Sequence, residues 1–157
     1  MEQNKALFLD RDGVINIDYG YVHQIEKFDF IDGIFDFCLK AQEKGYLIIV
    51  ITNQSGIGRG MFTENDFQKL NSYMVNEFGK HNVKITDVFY CSSLDDKCED
   101  RKPNPGLFIK AKNKYSINMS TSISIGDKDR DLIASERAGV MNNFLFKNNF
   151  DELKKLL

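Results

Sequence analysis

The chain has 157 residues, 42% hydrophobic and 28% charged. That length predicts one domain, residues 1–157, able to bury roughly two-thirds of its unfolded surface without a metal or disulfide. Twenty-one basic against 23 acidic residues leave a net charge of −2, which excludes a strongly basic nucleic-acid binder as the first reading. No apolar run nears the roughly 18–20 residues of a membrane span, and no basic-then-apolar leader opens the sequence. Three cysteines, an odd number, do not make a secreted disulfide framework, so a reducing cytoplasm is expected.

Strands and helices alternate along the chain. Ala6-Leu7-Phe8-Leu9 is a short apolar run ending at Asp10, the pattern of a strand buried on both faces. Ile34, Phe35, Cys38, Leu39 and Ala41 recur at helical spacing, with Gly45 placed to end the helix. Tyr46 to Ile51 is the strongest strand, β-branched and uninterrupted. Thr63 with Asp66 three residues on forms a near capping box, and Phe67, Leu70, Met74 and Phe78 continue one apolar stripe to Gly79. A third strand runs from Val83 and Ile85 through Tyr90 to Cys91, and a polar loop follows from Ser92 to Asn104. Asn104-Pro105 predicts an N-cap and first helical position for a helix carrying Leu107, Phe108, Ala111 and Tyr115. Ile123 and Ile125 mark a fourth strand ending at Gly126-Asp127, Leu132 to Ala138 a helix stopped by Gly139, Phe144 to Phe146 a fifth strand, and Phe150 to Leu157 a terminal helix.

Five strands alternating with helices predict parallel βαβ units in a three-layer α/β/α, Rossmann-like fold. Function in such sheets collects beyond the carboxyl ends of the strands, which directs attention to Asp10, Thr52, Cys91 and Asp127. Asp10-Arg11-Asp12-Gly13 offers two carboxylates just past a buried strand. Such a pair suits a hard cation such as Mg²⁺, an attack on phosphorus by one carboxylate, and proton transfer by the other; Asp12-Gly13 also reads as a plain turn. Thr52 to Gly60 supplies a hydroxyl, amides and backbone N–H groups for phosphate oxygens, but it is neither a dinucleotide fingerprint nor a Walker A loop, and a flexible polar loop is its plainer reading. Arg101-Lys102-Pro103 puts two cations before a helix, suiting a phosphate or a solvated turn. Gly126-Asp127-Lys128, with Asp131 one turn on, follows another strand; Asp127 can reach a metal held by Asp10, and Asp127 or Asp129 can cap the next helix.

Together these motifs resemble the haloacid dehalogenase (HAD) superfamily of phosphohydrolases. A narrower similarity, to the heptose-bisphosphate 7-phosphatase and histidinol-phosphatase subfamily, lies in Phe8 to Asn16, Asp18 to His23, Phe30 to Gly33, Thr52 to Gly60, Arg101 to Gly106 and Gly126 to Lys128. The resemblance implies a HAD fold without a large cap domain and a Mg²⁺-dependent phosphosugar phosphatase. Asp10 would be the nucleophile and Asp12 the acid and base, with Thr52 and Lys102 on the transferring phosphoryl group. Mg²⁺ would sit on the Asp10 carboxylate, the Asp12 backbone carbonyl and Asp127. Asp18, Tyr19, Gly20, Tyr21, Asn53, Gln54, Ser55, Arg101 and Lys128 would line the substrate side. Segment 13–32 is expected to form a flap over the site.

Members of the subfamily carry a zinc loop of pattern Cys-x-His and Cys-x-Cys before the Arg-Lys-Pro. Here Cys91 and Cys98 match two ligand positions, Ser93 replaces the histidine and Asp100 the last cysteine, so zinc is not expected. Cys38, on an apolar helical face, reads as core. The expected partner is a small phosphosugar, with no nucleic acid or membrane, and the expected state is a monomer. A histidinol-phosphate phosphatase is the alternative within the same chemistry. From other classes come a non-catalytic HAD-fold binding module and a receiver-like phospho-acceptor domain, which the D-x-D on the first strand disfavours.

Overall fold

The first apolar run is strand β1, Lys5–Leu9, and it lies in the middle of the sheet. A computed structural model describes residues 3–157. The remaining strands are β2 (Tyr46–Asn53), β3 (Ile85–Cys91), β4 (Ile123–Gly126) and β5 (Asn142–Leu145), and the five are ordered β3-β2-β1-β4-β5. Every pairing is parallel, with Leu9 opposite Val50 on one side and Ile125 on the other. Between them run helices α1 (Ile34–Glu43), α2 (Ser55–Gly58), α3 (Glu64–Lys80), α4 (Gly106–Tyr115), α5 (Asp129–Arg137) and α6 (Phe150–Leu153).

Both faces of the sheet are covered, which is why its central strands are apolar at consecutive positions. Leu7, Leu9, Ile48, Val50, Ile123 and Ile125 pack with Phe37 of α1, Leu70, Met74 and Phe78 of α3, and Phe150 of α6. Ala6, Phe8, Ile49 and Ile51 pack on the opposite face with Leu107, Phe108 and Ala111 of α4 and Ala134 of α5. Burying one such leucine, isoleucine or phenylalanine contributes about 1.5–3 kcal/mol. Three layers are what the alternating pattern predicts, and the lack of a large cap is what the resemblance implies. Among the described residues no helix is long and apolar enough to cross a membrane.

The topology positions the site. The chain steps from β1 outward to β2 and β3, then returns to lay β4 on the other side of β1. The crevice opens where the order reverses, beyond the carboxyl ends of β1 and β4. Asp10 and Asp127 follow those two strands, and Thr52 ends β2 on the other flank of β1.

Several local expectations are corrected. Pro105 is the N-cap of α4, one residue later than predicted, because the Asn104 side chain turns back to donate to the Asp96 and Cys98 carbonyls at 2.9 and 2.8 Å. Lys128, and neither Asp127 nor Asp129, caps α5: its backbone N–H donates to the Asp131 carboxylate at 3.2 Å. Strand β5 starts at Asn142, two residues before the predicted Phe144, since backbone pairing with β4 and not side-chain polarity sets its length. The terminal helix is one α-turn over Phe150–Leu153 followed by a 3-10 turn. Ser55–Gly58, read as a polar loop, forms the short helix α2, with Gly56 packed so closely on the Phe62 ring that a Cβ would meet it at 2.2 Å.

The capping box of α3 is present in both halves: Thr63 Oγ1 accepts from the Asp66 N–H at 3.0 Å, and the Thr63 N–H donates to Asp66 at 2.9 Å. Segment 13–32 is anchored more deeply than a flap. Val14, Ile15, Val22 and Phe28 are buried in the core, and Asn16 bridges to Asp12 and to Phe30.

Candidate active site

Asp10 leaves β1 with its N–H donating to the Ile125 carbonyl at 3.1 Å, so the end of β1 is stitched to β4 at the carboxylate. Asp10 Oδ1 lies 3.0 Å from Lys102 Nζ. The same ammonium is 2.7 Å from Asp131 Oδ1 and donates to the Ile51 carbonyl at 2.8 Å. Lys102 is 2% exposed, and a charge that buried needs such partners. Its ammonium is held above the usual lysine range because Asp10 and Asp131 outweigh the opposing effect of burial, itself the largest single influence.

Asp127 completes an acidic group. Oxygens of Asp10, Asp127 and Asp131 all lie within 4.8 Å of one another. Burial pushes the Asp10 carboxyl well above the usual range, and Asp131, Asp127 and Asp12 add to the effect against Lys102. Burial likewise raises Asp127. Asp127 Oδ1 is buried with no hydrogen-bond partner, and a buried carboxylate oxygen without a donor is costly. A hard cation supplies what that oxygen lacks, and carboxylate oxygens are the donors such a cation prefers. The residues present therefore fit a divalent metal. Gly13 makes the approach possible: its φ is +94°, and a Cβ there would sit 2.0 Å from Asp127 Oδ2.

Asp12 points elsewhere. Its Oδ1 accepts from Arg11 Nη2 at 3.0 Å and Asn16 Nδ2 at 2.9 Å, and its Oδ2 accepts from Gln54 Nε2 at 3.0 Å. Gln54 also donates to Thr52 Oγ1 at 2.9 Å, which links the ends of β1 and β2. Arg11 is buried and donates to the Val22 carbonyl at 2.8 Å, tying the loop after β1 to segment 13–32.

Above these groups is a cavity of about 300 Å³. Of the residues predicted from sequence, Asp10, Asp12, Asp18, Gly20 and Tyr21 line it from β1 and the segment after it. Asn53, Gln54, Ser55, Arg101 and Lys128 line it from the other strand ends. Thr52 and Lys102 are buried and are not part of its wall. Tyr19 stands apart from these. It is absent from the wall, and its hydroxyl donates to Asp29 at 2.6 Å, because Gly20 at φ +85° turns the chain between Tyr19 and Tyr21.

In the loop after β3, the Cys91 and Cys98 sulfurs are 4.0 Å apart. Asp100 forms an ion pair with Lys110 on α4. Cys38 is fully buried in the core, as its helical position predicts.

Three features were not read as functional from the sequence. Asp131 is the buried partner of Lys102; its place one turn after Asp127 was the available signal. Arg59 and Arg130 both line the cavity. Arg59 lies inside the Thr52–Gly60 stretch and Arg130 shortly after Asp127, but nothing in either pattern marks which way the side chain faces.

A five-stranded parallel sheet with this acidic group at its switch point is the arrangement of the HAD-like phosphatases. Solved structures agree. A Mesorhizobium loti protein described as HAD-like superposes with a TM-score of 0.85 at 30% identity, over 91% of this chain and 72% of that one. The D,D-heptose 1,7-bisphosphate phosphatase of B. bronchiseptica, complexed with magnesium and phosphate, gives a TM-score of 0.84 at 26% identity, over 96% and 86% of the two chains.

The model of the polynucleotide kinase 3 phosphatase family matches residues 9–145, and the chain belongs to that family. Among its relatives, the D-glycero-alpha-D-manno-heptose-1,7-bisphosphate 7-phosphatase of Campylobacter jejuni is 44% identical over 99% of this chain and 95% of its own length. The corresponding beta-heptose enzyme of Vibrio cholerae is 41% identical over 90% of this chain and 81% of its own.

Proposed function

We propose that this chain is a Mg²⁺-dependent phosphosugar phosphatase that removes the 7-phosphate of D-glycero-D-manno-heptose 1,7-bisphosphate. The observation that carries the reading is the carboxylate of Asp10, fixed at 3.0 Å by Lys102 beside the unpartnered oxygen of Asp127, at a cavity lined by cationic side chains. The relatives' named activity supports the choice of substrate.

Asp10 attacks the phosphorus and becomes a phospho-aspartate as the bond to the sugar oxygen breaks. Asp12 donates a proton to that departing oxygen and then takes one from the water that hydrolyses the acyl phosphate, so each turnover restores both carboxyls. Lys102 and Thr52 hold phosphoryl oxygens as charge redistributes. Asp10, Asp127 and the main-chain carbonyl of Asp12 would hold Mg²⁺, which when bound offsets repulsion between an anionic nucleophile and a phosphate dianion. Asp18, Gly20, Tyr21, Asn53, Gln54, Ser55, Arg101 and Lys128 face the sugar. The loop carrying Cys91, Cys98 and Asp100 works without zinc; the ion pair of Asp100 with Lys110 supports this. The enzyme acts as a cytoplasmic monomer on a small molecule, with no nucleic-acid or membrane partner.

The deciding experiment measures phosphate release from the heptose bisphosphate and from histidinol phosphate, each with Mg²⁺ and after chelation. Metal-dependent release from the heptose substrate is expected, with histidinol phosphate far slower. The reverse preference, or turnover indifferent to chelation, refutes the reading.

A further inference from the structure

Four cationic side chains line the cavity, and three are already engaged. Lys128 Nζ is 3.5 Å from Asp18. Arg101 pairs with Asp96 at 3.3 Å and donates to the Ser93 carbonyl at 3.1 Å. Arg59 lies over the Tyr21 ring, 5.8 Å from its centroid. Arg130 differs. Its Nε is buried with no acceptor, and none of the ion pairs among the described residues includes it.

A buried N–H without an acceptor is costly, and the rest of the Arg130 side chain is only partly buried, which leaves its fork open to a ligand in the cavity. Arg130 stands in the first turn of α5, next to Asp131, and the two neighbours face different tasks: Asp131 grips Lys102 at 2.7 Å while Arg130 meets the cavity. Lys102 is thereby compensated by carboxylates at the reacting centre, and Arg130 is positive charge over and above it. The planar fork of an arginine matches phosphate oxygens two at a time.

We propose that Arg130 is a specificity-determining residue that binds the second, non-reacting phosphate of a sugar bisphosphate. The inference rests on the phosphatase reading above and states how that site tells a bisphosphate from a monophosphate carrying the same scissile group.

The test compares kcat/KM for D-glycero-D-manno-heptose 1,7-bisphosphate and for the heptose 7-phosphate, in the wild type and in Arg130→Ala and Arg130→Gln. Both substrates present the same phosphate to Asp10, so only the distal group differs. Loss of a charge-assisted contact predicts a fall of about ten- to a hundredfold on the bisphosphate, mainly through KM. The fall on the monophosphate should be at least tenfold smaller. Arg130→Gln keeps the long stem and some donors, so it guards against a failure of the alanine variant to fold and should show the same selective loss. Equal losses on the two substrates, or none on either, overturn the role of Arg130. A wild type that hydrolyses neither substrate refutes the phosphatase reading instead.

Discussion

Asn53 grips Lys102 by its main chain from both sides: its Nδ2 donates to the Lys102 carbonyl at 3.1 Å, and its Oδ1 accepts the Lys102 N–H at 3.0 Å. The end of β2 is thus joined to the loop before α4 at the residue whose ammonium meets Asp10. Asn53 lines the cavity, yet both polar atoms of its side chain are turned to this internal contact. Asn53→Ala should lower stability by about 1–3 kcal/mol, the loss of two hydrogen bonds. Urea unfolding measures this. Turnover should fall about tenfold or more in kcat as Lys102 loses its placement; a change confined to KM would show that Asn53 acts on the sugar alone and does not position Lys102.

Asp10→Asn should abolish phosphate release, with a loss of at least about 10⁴-fold in kcat. The fold should persist, since Lys102 keeps Asp131 and the Ile51 carbonyl as partners. Circular dichroism reports the fold and a phosphate assay the rate. Turnover within tenfold of wild type would remove Asp10 as the nucleophile.

Gly13→Ala should be strongly damaging for two independent reasons. The residue sits at φ +94°, where an L side chain is strained, and the added Cβ would lie 2.0 Å from Asp127 Oδ2. Asp127 must then leave its present position beside Asp10. The Mg²⁺ concentration needed for half-maximal activity should rise at least about tenfold, and an unchanged value would count against Asp127 as a ligand.

The capping box of α3 predicts a pH dependence. Asp66 accepts from the Thr63 backbone and side chain, which hold its carboxyl below the usual value of 3.8, with His23 and Lys69 adding to the effect. The folded chain therefore keeps this carboxylate ionised where the unfolded chain takes up a proton. Its contribution to stability is complete above about pH 3.8 and fades as pH falls through the lower folded value. Asp66→Asn should lower Tm by a few degrees at pH 7. The difference should shrink in melts at progressively lower pH below 3.8, as wild-type Asp66 takes up its proton too. A gap that persists there would mean the loss is not electrostatic.

Much of this architecture is legible in the residues. Continuous apolar runs such as Tyr46 to Ile51 announce strands buried on both faces, and the Thr63–Asp66 spacing announces the start of α3, because these signals act through neighbours in sequence. The motif resemblance also marked Asp10, Asp12, Thr52, Lys102 and Asp127 in advance, and the structure brings Asp10, Lys102 and Asp127 together. The partnership of Lys102 with Asp131, the main-chain grip of Asn53 and the turn of Tyr19 to Asp29 leave no local pattern, since each depends on which side chain lies opposite after folding.

Local pattern sets the alternation of elements and, with it, a parallel sheet whose strand ends carry the chemistry. Periodicity and punctuation encode that order because a buried strand or an amphipathic helix must satisfy its own hydrophobic pattern. What each strand-end group faces depends on how the folded elements are arranged around it. The strand order sets Asp10 between the loops that supply Lys102 and Asp127, burial removes the water that would otherwise screen them, and the charges are left to balance one another through contacts spanning more than ninety residues of chain.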